Sequence, residues 1–392
     1  MTMKNTIPVN CAILKWARET AGVSIQEVAD KLGKDAEFVA NVESGMQSVT
    51  YSQLRTLSYN VYKRPIALFF YPSPPIDDPI EKDFRSIQAS SSALIDRDTR
   101  LKIRDAKYHQ LSLYELNPDT KESKFVLPAY LKRSKNQIDI PTAIRTMLGI
   151  SIEEQKSFGK SDFAFKRWRI AFEDMGIYVF KNAFKNPNYC GFTLYDEMYP
   201  IIYINNKNTY SRQIFTLFHE LYHIITKNSD ISCIDESSYD ALCFAHKSIE
   251  QRCNAFASSV LLPLDDFDKE LSNRDEITDD NVEDVVNELA ELYSVSRETV
   301  LRRLKDNSIV SNDIYSSLAL KWSGQMRRFK SDSQGGNSIA TMMTYLSGKY
   351  LSIVSDRYSA GQITSEQFIQ FMKVKSYDTA EKIYDRYITG RR

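Results

Sequence analysis

Three observations predict a mainly helical α+β chain. Apolar residues recur at three- and four-residue spacing along most of its 392 residues, in runs bounded by Gly, Pro and capping side chains. Near the middle the period changes. Residues 176–180, 190–195 and 199–204 are short β-branched or aromatic runs bounded by Asn-Pro, Asp-Glu and Asn-Asn, which suit a small antiparallel sheet. Finally, a Pro-rich stretch at Tyr71-Pro-Ser-Pro-Pro75 and a Ser/Gly/Asn-rich stretch at 331–338 divide the helical runs. The expected order is a domain of five short helices over 1–72, a connector with one helix over 73–125, a sheet-containing domain over 126–310, and a helical region over 311–392.

The totals narrow the class. Fifty-one Lys and Arg balance 51 Asp and Glu, so any binding to nucleic acid or anionic lipid must be local. The five cysteines form no CxxC, which argues against a disulfide scaffold. The N-terminus has no apolar signal core, and no apolar stretch is long enough to span a bilayer. A reducing cytoplasm is the expected setting, with no membrane partner.

In the first domain, Cys11 to Ala21 reads as a helix with Ile13, Leu14 and Ala17 inward. Ser24 and Glu27 form a capping box for a second helix that Gly33 ends. A third runs from Asp35 to Ser44, and Thr50 with Gln53 opens the next. The segments Val23-Ser-Ile-Gln-Glu-Val-Ala29, Leu32-Gly33 and Val42-Glu43-Ser44-Gly45 resemble the helix-turn-helix of Xre/Cro-type repressors. That resemblance implies DNA binding through residues 11–70. Lys34 and Asn41 would be the contacts, because Asn41 can read adenine. Asp35, Glu37 and Glu43 would repel phosphate, and the remaining cations, Lys15, Arg18 and Lys31, lie off the third helix. A protein–protein module on the same fold is the competing reading.

Downstream, a charged helix is expected from Ile95 to Leu116, then a polar turn, then a helix from Pro141 to Met147. The three strands follow. Next comes Arg212-Gln-Ile-Phe-Thr-Leu-Phe-His-Glu-Leu-Tyr-His-Ile-Ile-Thr226, with Phe215, Phe218, Tyr222 and Ile225 at helical spacing. His219 and His223 are four apart, so both rings leave one face and can share a cation. Glu220 sits one residue round, within reach of a metal-bound water. This is HExxH, two metal ligands and a general base. Two ordinary surface histidines are the bland alternative, but only four His occur in the chain.

A catalytic site of this kind usually has three protein ligands. A second helix, expected from Ser238 to Leu261, offers His246 and Glu250 on one face, with Asn254 continuing it. Spacing alone leaves His246 and Glu250 as alternatives. Further helices are expected over 277–293, 295–304 and 339–388.

Ser211 to Ile224, Ile249-Glu-Gln-Arg-Cys-Asn-Ala-Phe-Ala257 and Leu261-Leu-Pro263 together resemble the ImmA/IrrE family of metallo-endopeptidases. Asp83-Phe84-Arg85 and Val295-Ser296 to Arg303-Leu304 extend the likeness over about residues 80–310. The resemblance implies a zincin-like fold of the gluzincin kind over 126–310. It implies one Zn2+ per chain held by His219, His223 and Glu250, with Glu220 as base and Asn254 orienting a ligand. Mn2+ or Fe2+ suits the same donors. Tyr222 and His246 are candidates for stabilising the oxyanion. Tyr222 stands where the family usually has Gly, and Leu262 where it usually has Met. In this family the peptidase commonly accompanies an Xre-type repressor and cleaves it in stress response or mobile-element control. The resemblance therefore implies a protein substrate such as a repressor, with both modules here in one polypeptide. The alternative function is a DNA-binding regulator or antitoxin that uses the peptidase fold as a sensor or scaffold. The strand at 199–204, just before the HExxH helix, is either a docking strand for an extended substrate or plain sheet core.

Overall fold

Short capped helices open the chain, two of them behind the capping boxes expected there. The structure is a computed structural model that describes residues 6–75, 95–120, 125–126, 139–233, 244–326 and 338–390. Asp83-Phe84-Arg85, the start of the second site helix and most of the 331–338 break lie outside the described residues. The chain divides into two compact units, 1–105 and 106–392.

In the first unit, α1 (Cys11–Thr20), α2 (Ile25–Leu32), α3 (Ala36–Glu43) and α4 (Tyr51–Arg55) surround one core. α4 runs on as a π-helical segment, Thr56–Tyr62, and a 3-10 turn, Ile66–Phe70, follows. The Ser24/Glu27 and Thr50/Gln53 capping boxes both form. Each satisfies donors that a helix start leaves open. Gly33 sits at φ 62, a left-handed cap that a side chain would strain. The Arg18 guanidinium turns inward and grips Glu43 through two bonds, 2.6 and 3.0 Å. Neither group therefore faces solvent as an independent charge: their side chains are only 12% and 8% exposed.

A long helix, α5 (Arg97–Leu116), is divided between the units at residues 105 and 106. In the second unit follow α6 (Asp139–Leu148), α7 (Ile152–Lys156) and α8 (Ser161–Asp174). Then come β1 (Tyr178–Asn182), β2 (Tyr189–Leu194), β3 (Ile201–Asn205), α9 (Tyr210–Ile225) and β4 (Asp230–Cys233).

The sheet corrects an expectation. It is mixed and has four strands, in the order β1-β3-β2-β4. β1 pairs in parallel with β3, Tyr178 opposite Ile201, while β2 is antiparallel to both β3 and β4. The reason lies in β3. Ile201-Ile-Tyr-Ile204 is apolar on both faces and every residue is buried, so it takes a central position. Having partners on both edges, it cannot take an added substrate strand, which leaves the plain-core reading. β4 escaped the sequence because four residues, two of them polar, carry no readable period. The sheet and α9 meet closely at Gly191 of β2. A Cβ there would lie 2.5 Å from the Tyr203 carbonyl oxygen and 3.0 Å from Thr216 Cγ2 of α9.

Beyond α9 come α10 (Phe244–Leu261), α11 (Leu264–Ser272), α12 (Val282–Leu292), α13 (Arg297–Asp306) and α14 (Asn312–Met326). The chain ends in α15 (Ser338–Tyr345), α16 (Gly348–Ser359), α17 (Ser365–Phe371) and α18 (Tyr377–Gly390). α15 and α16 lie against β1, so the C-terminal helices complete the sheet domain. Glu173 of α8 accepts from the Gly348 and Lys349 backbone N–H groups, at 3.0 and 3.1 Å. A carboxylate at the start of α16 fills the open donors there and suits the helix dipole.

His109 is sealed in this packing. Its ring stacks on Phe180 at 4.4 Å and meets Tyr350 edge-on at 5.0 Å, and its Nδ1 lies 2.9 Å from the Tyr203 hydroxyl. Burial, with a smaller push from Lys373, drives its pKa down from 6.5 to about 3. The folded chain thus refuses a proton that the unfolded chain accepts below pH 6.5. Stability is full above that value and falls by about 1.4 kcal/mol per pH unit as pH drops toward 3. Urea midpoints at pH 7 and pH 5 should show wild type losing roughly 2 kcal/mol more than His109→Gln. Equal losses would contradict this account.

Candidate metal centre

α9 forms because Thr209 caps its first turn, accepting from the Arg212 N–H, and because no Gly or Pro interrupts it. Every residue from Gln213 to Ile224 is buried. A helix buried on all sides is not a solvent face, so its polar residues need partners. It packs on β2, β3 and β4 on one side and on α8 and α10 elsewhere. The rings of Trp168 and Phe172 of α8 stand edge-on to Phe218 at 4.9 and 5.2 Å. This aromatic wedge fixes the rotation of α9.

That rotation turns His219 and His223 toward α10, with ring centroids 5.3 Å apart. Glu250 of α10 reaches between them. Its Oε2 lies 3.0 Å from His219 Nε2 and its Oε1 lies 3.4 Å from His223 Nε2. One turn along α10, Cys253 places its Sγ 3.5 Å from His223 Nε2. One donor atom from each of these four residues lies within 4.8 Å of the others. Asn254 Oδ1 lies 2.9 Å from His219 Nδ1. With the proton on Nδ1, this bond leaves the Nε2 lone pair facing the cluster.

Glu220, next along the helix from His219, is held against the sheet. Its Oε2 accepts from Thr193 Oγ1 of β2 at 2.7 Å, and that hydroxyl also lies 3.1 Å from the Glu220 carbonyl oxygen. Tyr222 rests on Phe256 of α10, with ring centroids 5.3 Å apart. His246 falls on α10, but its side chain lies outside the described residues. Lys34 and Asn41 belong to the first unit. Lys34 is exposed with Nζ 5.6 Å over the Phe38 ring, and Asn41 is half-buried.

Burial penalises charge throughout the cluster. It pushes the Cys253 thiol up to about 11. Against the same penalty, Cys253 and Glu250 hold the His223 imidazole well above its ordinary value. Burial also works against the Glu250 carboxylate, yet His219 and His223 keep it well below the usual range. A buried carboxylate among imidazoles calls for positive charge, from protons or from a cation. Two atoms decide that the site suits a cation. His219 Nε2 and Glu250 Oε2 are buried, 3.0 Å from one another, and have no hydrogen-bond partner outside the cluster. Two nitrogens and a carboxylate converging with open lone pairs form a donor set for a divalent ion.

Residues 172–305 match the family model of the IrrE N-terminal-like domain, Peptidase_M78. No curated protein and no solved structure matches the chain. The IrrE N-terminal-like segment begins at the end of α8 and ends in α13. It therefore holds the whole sheet, α9 and α10, and every residue of the cluster. Peptidase_M78 is a family of metallopeptidases, and a metallopeptidase-type function agrees with the four convergent donors. Among the described residues no helix is long and apolar enough to cross a membrane.

Sequence reasoning missed Cys253 and Thr193. Cys253 was accessible in principle, three residues after Glu250 and so on the same helical face. Thr193 carried no signal, because it reaches Glu220 only through the pairing of β2 under α9.

Proposed function

We propose that the chain is a metal-dependent endopeptidase acting on a regulatory protein, with zinc as the ion and an N-terminal module of the repressor type. The observation that carries this reading is the convergence of His219, His223 and Glu250, with Glu220 held beside them by Thr193. His219, His223 and Glu250 would hold the ion, and Asn254 would fix the His219 ring. A bound divalent ion supplies Lewis acidity, acidifying a water and polarising a peptide carbonyl. The Glu220 carboxylate takes a proton from the attacking water and returns it to the departing amine. The Thr193 hydroxyl keeps the carboxylate pointed while it does so. β4, at one end of the sheet order and packed on α9, is the strand on which an extended peptide would pair.

The first unit serves, in this proposal, to present a protein. The surface of α3 exposes Asp35, Glu37 and Ala40, and Arg18 is spent on Glu43. Lys34, exposed just before α3, is a poor grip for phosphate by itself.

The test is proteolysis followed directly. Purified protein incubated with soluble protein from its own cells should release defined fragments, detected by mass spectrometry. A chelator should stop them and added zinc should restore them. Fragments insensitive to the chelator, or none with zinc present, would remove the endopeptidase reading and favour a regulator using the fold as a scaffold.

A further inference from the structure

The donor cluster has one more member than a catalytic zinc site requires. Zinc peptidases of the HExxH kind use three protein ligands and leave the fourth position to water. Here α10 brings a sulfur to the same point. Glu250 and Cys253 are three residues apart, so their side chains leave one face of the helix. Cys253 is fully buried, with its Sγ 3.5 Å from His223 Nε2.

These separations can be compared with a coordination tetrahedron. Bonds of about 2.0–2.3 Å to nitrogen, oxygen and sulfur give edges of about 3.3–3.6 Å. The distances are 3.4 Å from His223 Nε2 to Glu250 Oε1 and 3.5 Å from His223 Nε2 to Cys253 Sγ. His219 Nε2 lies 3.0 Å from the other carboxylate oxygen, Glu250 Oε2, so a single Glu250 vertex would need the carboxylate to turn one oxygen between both rings. An independent observation points to a ligand at the same place. His219 Nε2 and Glu250 Oε2, each on a side chain only 3% exposed, face one another at 3.0 Å and have no hydrogen-bond partner beyond the cluster. The Cys253 sulfur lies within 4.8 Å of a donor atom on each of these residues.

We propose that Cys253 is a fourth protein ligand, so that the resting chain holds its ion by His219, His223, Glu250 and Cys253. The proposal rests on the metal reading of this site and adds to it the identity of the fourth donor. Two consequences follow. A thiolate shifts the preference of the set from Mn2+ toward zinc and other softer ions. It also fills the position that catalytic sites leave to water, so the sulfur must leave before a water can take its place.

Cobalt substitution tests this without any measurement of activity. The full-length protein, stripped of metal, is titrated with Co2+. Visible ligand-field bands report binding in a tetrahedral site, and a near-ultraviolet charge-transfer band reports a sulfur–cobalt bond. Wild type should show both. Cys253→Ser keeps nearly the same side-chain volume and Cys253→Ala removes the sulfur outright. Both should keep the visible bands and lose the charge-transfer band, with cobalt affinity lower by about tenfold or more. Circular dichroism of each variant separates loss of ligand from loss of fold.

A wild type with visible bands but no charge-transfer band overturns the proposal and leaves the three-ligand site standing. So does a charge-transfer band that survives in both variants, which would assign it to another cysteine. A wild type that takes up no Co2+, Zn2+ or Mn2+ overturns this proposal and the metal reading together.

Discussion

Glu220→Gln should keep its ion and its fold and lose nearly all cleavage. Glutamine matches glutamate in size and still offers an oxygen to the Thr193 hydroxyl, so the 2.7 Å bond under α9 has a replacement. It cannot take a proton at neutral pH. Removing a positioned general base costs about 10²–10⁴ in rate. Metal content should be unchanged, because Glu220 lies outside the donor cluster of His219, His223, Glu250 and Cys253. Fragment yield by mass spectrometry and metal by elemental analysis, on the same preparation, check both halves. Wild-type cleavage by Glu220→Gln would show that another group moves the proton or that proteolysis is not the function.

Glu250→Ala should act on the ion instead, loosening its hold and abolishing cleavage with it. The carboxylate spans both histidines, at 3.0 and 3.4 Å, so its loss removes the one negative group between the two rings. The readout is thermal unfolding with and without added zinc. A ligand that binds only the folded chain stabilises it by about 2.7 kcal/mol at a hundred times its dissociation constant. Wild type should gain that, and Glu250→Ala and His219→Ala, each left with three of the four donors, should respond only weakly and at much higher zinc. Asn254→Ala should retain a response shifted to roughly 10–100-fold higher zinc, since it acts only through the His219 Nδ1 bond. His246→Ala should behave as wild type. A zinc response kept by Glu250→Ala and lost by His246→Ala would move the third ligand to His246.

Much of the fold was legible because its signals are local. Both capping boxes of the first unit formed at Ser24/Glu27 and Thr50/Gln53, since each needs only four consecutive residues. The α9 helix and the shared face of His219 and His223 follow from spacing alone. The sheet was less legible. Its first three strands lie close to where periodicity put them, yet their order depended on which strand is most apolar, a comparison across 28 residues from Tyr178 to Asn205. Nothing local says that β3 enters between β1 and β2.

The sequence by itself determined the chemistry on each helix: two imidazoles and a carboxyl base on α9, and a carboxylate with an amide four residues on in α10. Spacing left His246 and Glu250 equal as the third ligand, because a helix repeats its face every three to four residues. Only the tertiary structure decided that Glu250 faces both histidines, that Cys253 joins it, and that Thr193 holds Glu220. The physical reason is the rotation of one buried helix against another. The Trp168 and Phe172 wedge on Phe218 and the close approach of β2 at Gly191 set that rotation, and both come from segments far from α9 in sequence.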